Sequence, residues 1–122
     1  CAPAVSQAAA LAAFTAEARE ELDGHVARYA RNRELLLRRL PELGITSFAP
    51  PDGAFYAWCD VSHLTDDSRN WCAEVLDATG VALAPGIDFD TAQGHRMMRL
   101  SFCGDTAELD GALDRLVVHI DR

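Results

Sequence analysis

The segment Asp105–Ile120 constrains the fold most. Asp105 and Glu108 stand three apart, the spacing of a capping box at a helix N-terminus. Leu109, Leu113, Leu116, Val117 and Ile120 then recur at helical spacing and make one apolar stripe. A helix with one such stripe must lay it on another layer. The covering layer has to come from the residues before it.

Those residues alternate between helical and extended patterns. Gln7–Phe14, QAAALAAF, is apolar nearly all round, as helices enclosed by a larger protein are. A long amphipathic helix is predicted over Ala16–Leu40, with Leu22, Val26, Tyr29, Leu36 and Leu40 on one face and Pro41 and Gly44 stopping it. Its Arg28, Arg31, Arg38 and Arg39 read as a solvated face. Ile45–Phe48 and Ala54–Val61 read as strands around a Pro50-Pro51-Asp52-Gly53 turn. Asp66–Thr79 reads as a helix capped by Asp66, Asp67 or Ser68, with Trp71, Val75 and Ala78 inward and Gly80 as its left-handed stop. Val81–Ala84 is a short strand ended by Pro85-Gly86. Arg96–Phe102 is another, with Met98, Leu100 and Phe102 on one face and Met97, Arg99 and Ser101 on the other. The order predicts an α/β protein of the α+β type. It is a two-layer sandwich, a small mixed or antiparallel sheet covered by helices, with a long N-terminal connecting helix.

Charge and chemistry narrow the function. All 11 basic residues of the 122 are arginine, and lysine is absent. Arginine stays protonated and cannot serve as an amine nucleophile, so this chain has no lysine for a Schiff base. The net charge of −8 argues against nucleic acid or an anionic membrane as the main partner. No apolar run approaches the roughly 18 residues of a membrane span. The cysteines at 1, 59, 72 and 103 contain no C-x-x-C pair, which favours reduced thiols in the cytoplasm. Acylation of Cys1 is disfavoured, because helical sequence begins almost at once. Cys59, His63 and Cys72, with Cys103 or His95, lack the paired spacing of structural zinc, so no metal site is expected.

Three segments come in a telling order: PDGAFYAWCDVS, then VALAPGIDFD, then RMMRLSF followed by a capped helix. Together they resemble the C-terminal small domain of the class I/II aminotransferases, the fold-type I family dependent on pyridoxal phosphate. SQAAALAAF with the arginine-bearing helix resembles the exit from that family's large domain. The likeness implies that residues 1–15 end the large cofactor domain and residues 16–122 form the small domain. It implies a piece of a longer enzyme that moves an amino group between an amino acid and a 2-oxo acid, commonly as a homodimer. The non-Met start and the apolar first helix agree with a piece. The cofactor lysine and most cofactor contacts would lie on the missing N-terminal large domain, so no catalytic or cofactor-binding residue is expected here. Arg99, just before Leu-Ser, resembles the arginine that binds the substrate α-carboxylate, and Arg96 is read as surface. Phe55 resembles an aromatic residue lining the substrate cleft. Pro85 and Gly86 resemble a shaping turn, and Asp90 stands where the family usually has glycine. The other reading is a stand-alone, non-catalytic α/β ligand-binding or regulatory domain, in which Arg99 would hold a small carboxylate without reaction.

Overall fold

The computed structural model describes residues 1–121. Its elements are α1 (Ala4–Ala12), α2 (Ala16–Arg39), β1 (Phe48–Ala49), β2 (Tyr56–Asp60), α3 (Ser68–Thr79), β3 (Ala84–Pro85), β4 (Met97–Ser101) and α4 (Thr106–Ile120). The strands form one sheet in the order β1-β2-β4-β3, and each neighbouring pair is antiparallel. Ala57, Cys59, Met98 and Leu100 point from the sheet into a core shared with Leu36 of α2, Cys72 and Val75 of α3, and Leu109, Leu113 and Leu116 of α4. This is the expected two-layer arrangement, with an antiparallel sheet.

The helix ends follow the capping chemistry. Asp105 accepts from the Ala107 and Glu108 backbone N–H groups and starts α4. Asp67 accepts from Asn70 N–H, so α3 starts at Ser68, two residues later than expected. Gly80 ends it with φ +70°, a conformation open to glycine at little cost. The buried face of α3 is Ser68, Cys72 and Val75. Ala78, expected inward, is exposed.

All four expected strands begin late, those expected from Ile45 and Val81 by the most. Ile45 is buried, but its N–H donates to Leu40 O across a short 3-10 turn, Leu40–Leu43, closed by the left-handed Gly44. That backbone closes a helix end and does not join a ladder, so pairing starts only at Phe48. Val81 N–H likewise donates to the Thr79 hydroxyl, and pairing starts at Ala84. Pro85 is tolerated because β3 is an edge strand, where its missing N–H breaks no ladder.

Helix α2 also departs from its expected stripe. Leu36 and Leu40 are buried, while Leu22 and Val26 are 52% and 63% exposed. With 24 residues the helix is about 36 Å long, and the sandwich covers only its C-terminal half. Helix α1 buries no residue, and Val5, Leu11 and Phe14 are exposed. Arg39 is not part of a merely solvated face. Its guanidinium donates to Glu42, Asp110 and Asp114 at 2.7, 2.6 and 2.7 Å, which ties the end of α2 to α4. These carboxylates, Asp114 and Glu42 foremost, hold it still more firmly protonated.

A polar side chain that no apolar pattern marks sits at the joint of the layers. Asn32 of α2 is fully buried. Its Nδ2 donates to the carbonyls of Phe102 and Gly104, each at 2.9 Å, and its Oδ1 accepts from Thr106 Oγ1 at 2.7 Å. One amide thereby satisfies the backbone of the turn between β4 and α4.

Candidate functional site: an arginine on the open sheet face

Alternation along β4 sends Met98 and Leu100 into the core and leaves Met97, Arg99 and Ser101 on the opposite face. Strand β4 is internal, so Arg99 is flanked on both sides. Trp58 of β2 lies directly opposite it in one ladder and Ala84 of β3 in the other. The guanidinium is held by rings. Its Cζ lies 4.3 Å from the centre of Phe89 and 5.1 Å from that of Tyr56. Phe89 in turn meets Trp58 edge-on, with centroids 6.1 Å apart. Tyr56, Trp58, Phe89, Asp90 and Arg99 line an open recess of about 340 Å³.

The loop after β3 brings Phe89 and Asp90 to this recess. The Phe89 and Asp90 N–H groups both donate to Gly86 O at 2.9 Å, and Gly94 N–H donates to Asp90 O at 3.0 Å. Gly86 and Gly94 approach backbone to backbone. A Cβ on Gly86 would stand 2.5 Å from Met97 O, which no side chain can occupy. Glycine is required there for close approach, not for positive φ. The buried Ser68 hydroxyl donates to Gly94 O at 2.7 Å and pins the loop to α3.

Among the described residues, the Arg99 guanidinium makes no hydrogen bond and no ion pair. Its neighbour in sequence differs. Arg96 reaches Asp60 at 3.5 Å. The Asp60 carboxyl is held below its ordinary value by the Ser62 hydroxyl and N–H, with a smaller pull from Arg96. Arg96 is therefore committed to a partner, and Arg99 has five N–H donors for an external one.

Phe55 lies outside the residues that line the recess. It follows Ala54, whose φ of +58° is unusual for a residue with a Cβ. Its ring, 46% exposed, sits 6.2 Å from Tyr29 and 6.1 Å from Tyr56, so Tyr56 separates it from Arg99. Sequence reasoning missed Tyr56, Trp58 and Phe89. Alternation in β2 puts Tyr56 and Trp58 on one face, which was a usable signal. Phe89 had none.

The cysteines and histidines form no centre. Cys59 and Cys72 are buried in the core, where desolvation pushes their thiols up to about 12 and about 11. His63 Nε2 lies 3.2 Å from Leu43 O. Among the described residues no group of three or more His, Cys, Asp or Glu side chains is placed to hold a metal ion.

The model of the family "Aminotransferase class I and II" matches residues 1–116. The chain belongs to this family. Its sequence is 53% identical over 116 residues to a valine–pyruvate aminotransferase of Mycobacterium tuberculosis, covering 95% of this chain and 30% of that protein. It is 38% identical over 113 residues to an aspartate/prephenate aminotransferase of Thermus thermophilus, covering 91% of this chain and 28% of that one. The fold superposes on a crystal structure of an aminotransferase from Mycobacterium tuberculosis with a TM-score of 0.95 at 50% identity, over 99% of this chain and 31% of that one. A putative aminotransferase from Silicibacter pomeroyi gives 0.93 at 49% identity, over 99% and 32%. The chain thus spans about 30% of the length of these curated relatives. Matches of this extent do not favour the stand-alone ligand-binding alternative.

Class I and II aminotransferases imply pyridoxal phosphate. With no lysine in the sequence, the residues present supply no amine to hold that cofactor covalently. What they offer is a cation walled by aromatic rings, a chemistry suited to a carboxylate.

Proposed function

We propose that this chain is part of a pyridoxal-phosphate-dependent aminotransferase and that Arg99 holds the α-carboxylate of its amino acid or 2-oxo acid substrate. The observation that carries this reading is the guanidinium itself. It stands on an open sheet face between two rings, and among the described residues no carboxylate forms an ion pair with it. A guanidinium offers two parallel N–H donors that match a carboxylate fork and fix its orientation. Phe89 and Tyr56 hold the cation without consuming those donors, since their π faces attract the charge and not the N–H groups. The rings also exclude water from part of the contact, which strengthens it. A substrate gripped at its carboxylate has its amine and Cα in a set position, and that orientation is this chain's share of the rate.

In the same reading residues 1–15 end the large domain and residues 16–122 are the small domain. The uncovered apolar residues of α1 support this, because such a helix is expected to pack against further protein. The amine that anchors pyridoxal phosphate would belong to that further protein. A homodimer and a cytoplasmic location complete the proposal and rest on the family likeness. No helix among the described residues is long and apolar enough to cross a membrane.

The test is Arg99→Lys in the full-length protein. Lysine keeps the charge but loses the fork. We expect kcat/KM for the amino donor to fall about tenfold or more, the size of one lost hydrogen bond to a charged group. Kinetics like the wild type would remove Arg99 from the role.

A further inference from the structure

Phe89 reaches Arg99 from a loop that no ladder holds. Tyr56, the other ring beside the guanidinium, belongs to β2 and is fixed by its pairing with Ser101 of β4. The place of Phe89 depends instead on a short run of backbone contacts. Gly86 O accepts from the Phe89 N–H, and Asp90 O accepts from the Gly94 N–H. Gly94 lies so close to Gly86 that a Cβ on Gly86 would stand 2.6 Å from Gly94 O. That same carbonyl accepts from the Met97 N–H and from the Ser68 hydroxyl, the latter at 2.7 Å. Ser68, Gly86 and Gly94 are all buried within this chain alone. Ser68 lies outside the residues that line the recess. Its hydroxyl is not needed to start α3, because Asp67 caps that helix. A second tether, Arg69 to Asp88 at 2.9 Å, is exposed, and surface pairs of this kind hold little.

We propose that Ser68 is a positioning residue, whose buried hydroxyl fixes the loop from Gly86 to Gly94 against α3 and thereby holds the Phe89 ring over the Arg99 guanidinium. The inference rests on the reading of Arg99 as the α-carboxylate ligand. Among the described residues the guanidinium makes no hydrogen bond, so the two rings set its place. A ring on a drifting loop leaves the fork in the right orientation for less of the time. Such a loss weakens the grip on substrate and transition state alike. It therefore shows in KM and not in kcat. Ser68→Ala leaves Gly94 O with the Met97 N–H alone and frees the loop from α3.

The experiment measures kcat and KM in the full-length protein, Ser68→Ala, Phe89→Ala and the double variant. The amino donor is whichever of L-alanine, L-valine and L-glutamate the wild type uses fastest. In Ser68→Ala we expect KM to rise about twofold at an unchanged kcat, part of what complete loss of the ring contact removes. In the double variant KM should equal that of Phe89→Ala, because residues that act through one contact are not additive. A merely structural Ser68 would lower the Tm and the active fraction, and with it kcat, but would leave KM alone. A wild-type KM in Ser68→Ala overturns the proposal. So does a double variant in which the two effects multiply, and so does a wild-type KM in Phe89→Ala, since the ring then has nothing to transmit. Arg99→Lys, measured beside them, separates the two levels. If it behaves like the wild type, the reading of Arg99 itself fails. If it is impaired while Ser68→Ala keeps the wild-type KM, the inference about Ser68 fails alone.

Discussion

The Phe89 ring lies over the Arg99 guanidinium, with Cζ 4.3 Å from the ring centre. One residue comes from a loop and the other from an internal strand. Their contact joins the loop after β3 to the open face of the sheet. The negative face of the ring attracts the cation while leaving its N–H donors free.

Removing that ring should loosen the guanidinium and not delete it. Phe89→Ala in the full-length protein is expected to raise KM for the amino donor about threefold, in line with a partly exposed cation–π contact. Phe89→Tyr, which keeps a ring face, should stay near the wild type. An unchanged KM in the alanine variant would show that the stacking contributes nothing.

Asn32 should matter for stability. Asn32→Ala leaves the carbonyls of Phe102 and Gly104 without their donor and Thr106 Oγ1 without its acceptor. We expect a loss of about 2–4 kcal/mol, the cost of buried polar groups left unpaired. Urea unfolding of variant and wild type measures it. A coincident midpoint would mean that water replaces the amide at no cost.

Acid should erase one local contribution. The Asp60 carboxyl titrates below its ordinary value in the folded protein, first because of the Ser62 hydroxyl and then because of the Ser62 N–H. A depressed folded value stabilises the fold above the unfolded value, and the effect is lost as pH falls through the folded one. The Tm difference between wild type and Asp60→Asn should therefore be constant from about pH 5 to about pH 8 and shrink below about pH 4. A difference that grows in acid would contradict the assignment.

Alkylation should separate the cysteines. Cys59 and Cys72 are buried, with thiols raised to about 12 and about 11, so they stay neutral and shielded at about pH 8. Cys1 is exposed and Cys103 partly so. Iodoacetamide should mark Cys1 and Cys103 in the native protein and reach Cys59 and Cys72 only in denaturant. Fast native labelling of Cys59 would contradict its place under the sheet.

What was legible in the sequence was whatever repeats. The stripe Leu109, Leu113 and Leu116 and the alternation around Arg99 carry a period, and both gave the right face. Caps were legible in kind, since Asp67 and Asp105 do start their helices. Strand starts were not, because the N–H groups of Ile45 and Val81 go to the end of a preceding helix and no composition signals that. Phe55 is named by the family resemblance, while Tyr56, its neighbour that faces Arg99, is marked only by alternation. Phe89 was invisible because its position depends on two glycine backbones in contact, Gly86 and Gly94. Asn32 was invisible because a polar residue in a helix is usually solvent-facing. Its partners lie 70 to 74 residues further along the chain.

The sheet order has a consequence for synthesis. β4 is made after its neighbours β2 and β3, yet it lies between them. Until residues 97–101 leave the ribosome, β3 has no ladder partner and β2 has only the two residues of β1. The acceptors of Asn32 are translated later still. A nascent chain halted before Met97 would display Leu36, Leu40, Cys59 and Val75 with no lid over them, together with unpaired strand edges. Such a species is prone to aggregate. The stretch that supplies Arg99 is therefore also the stretch that pairs these two strand edges.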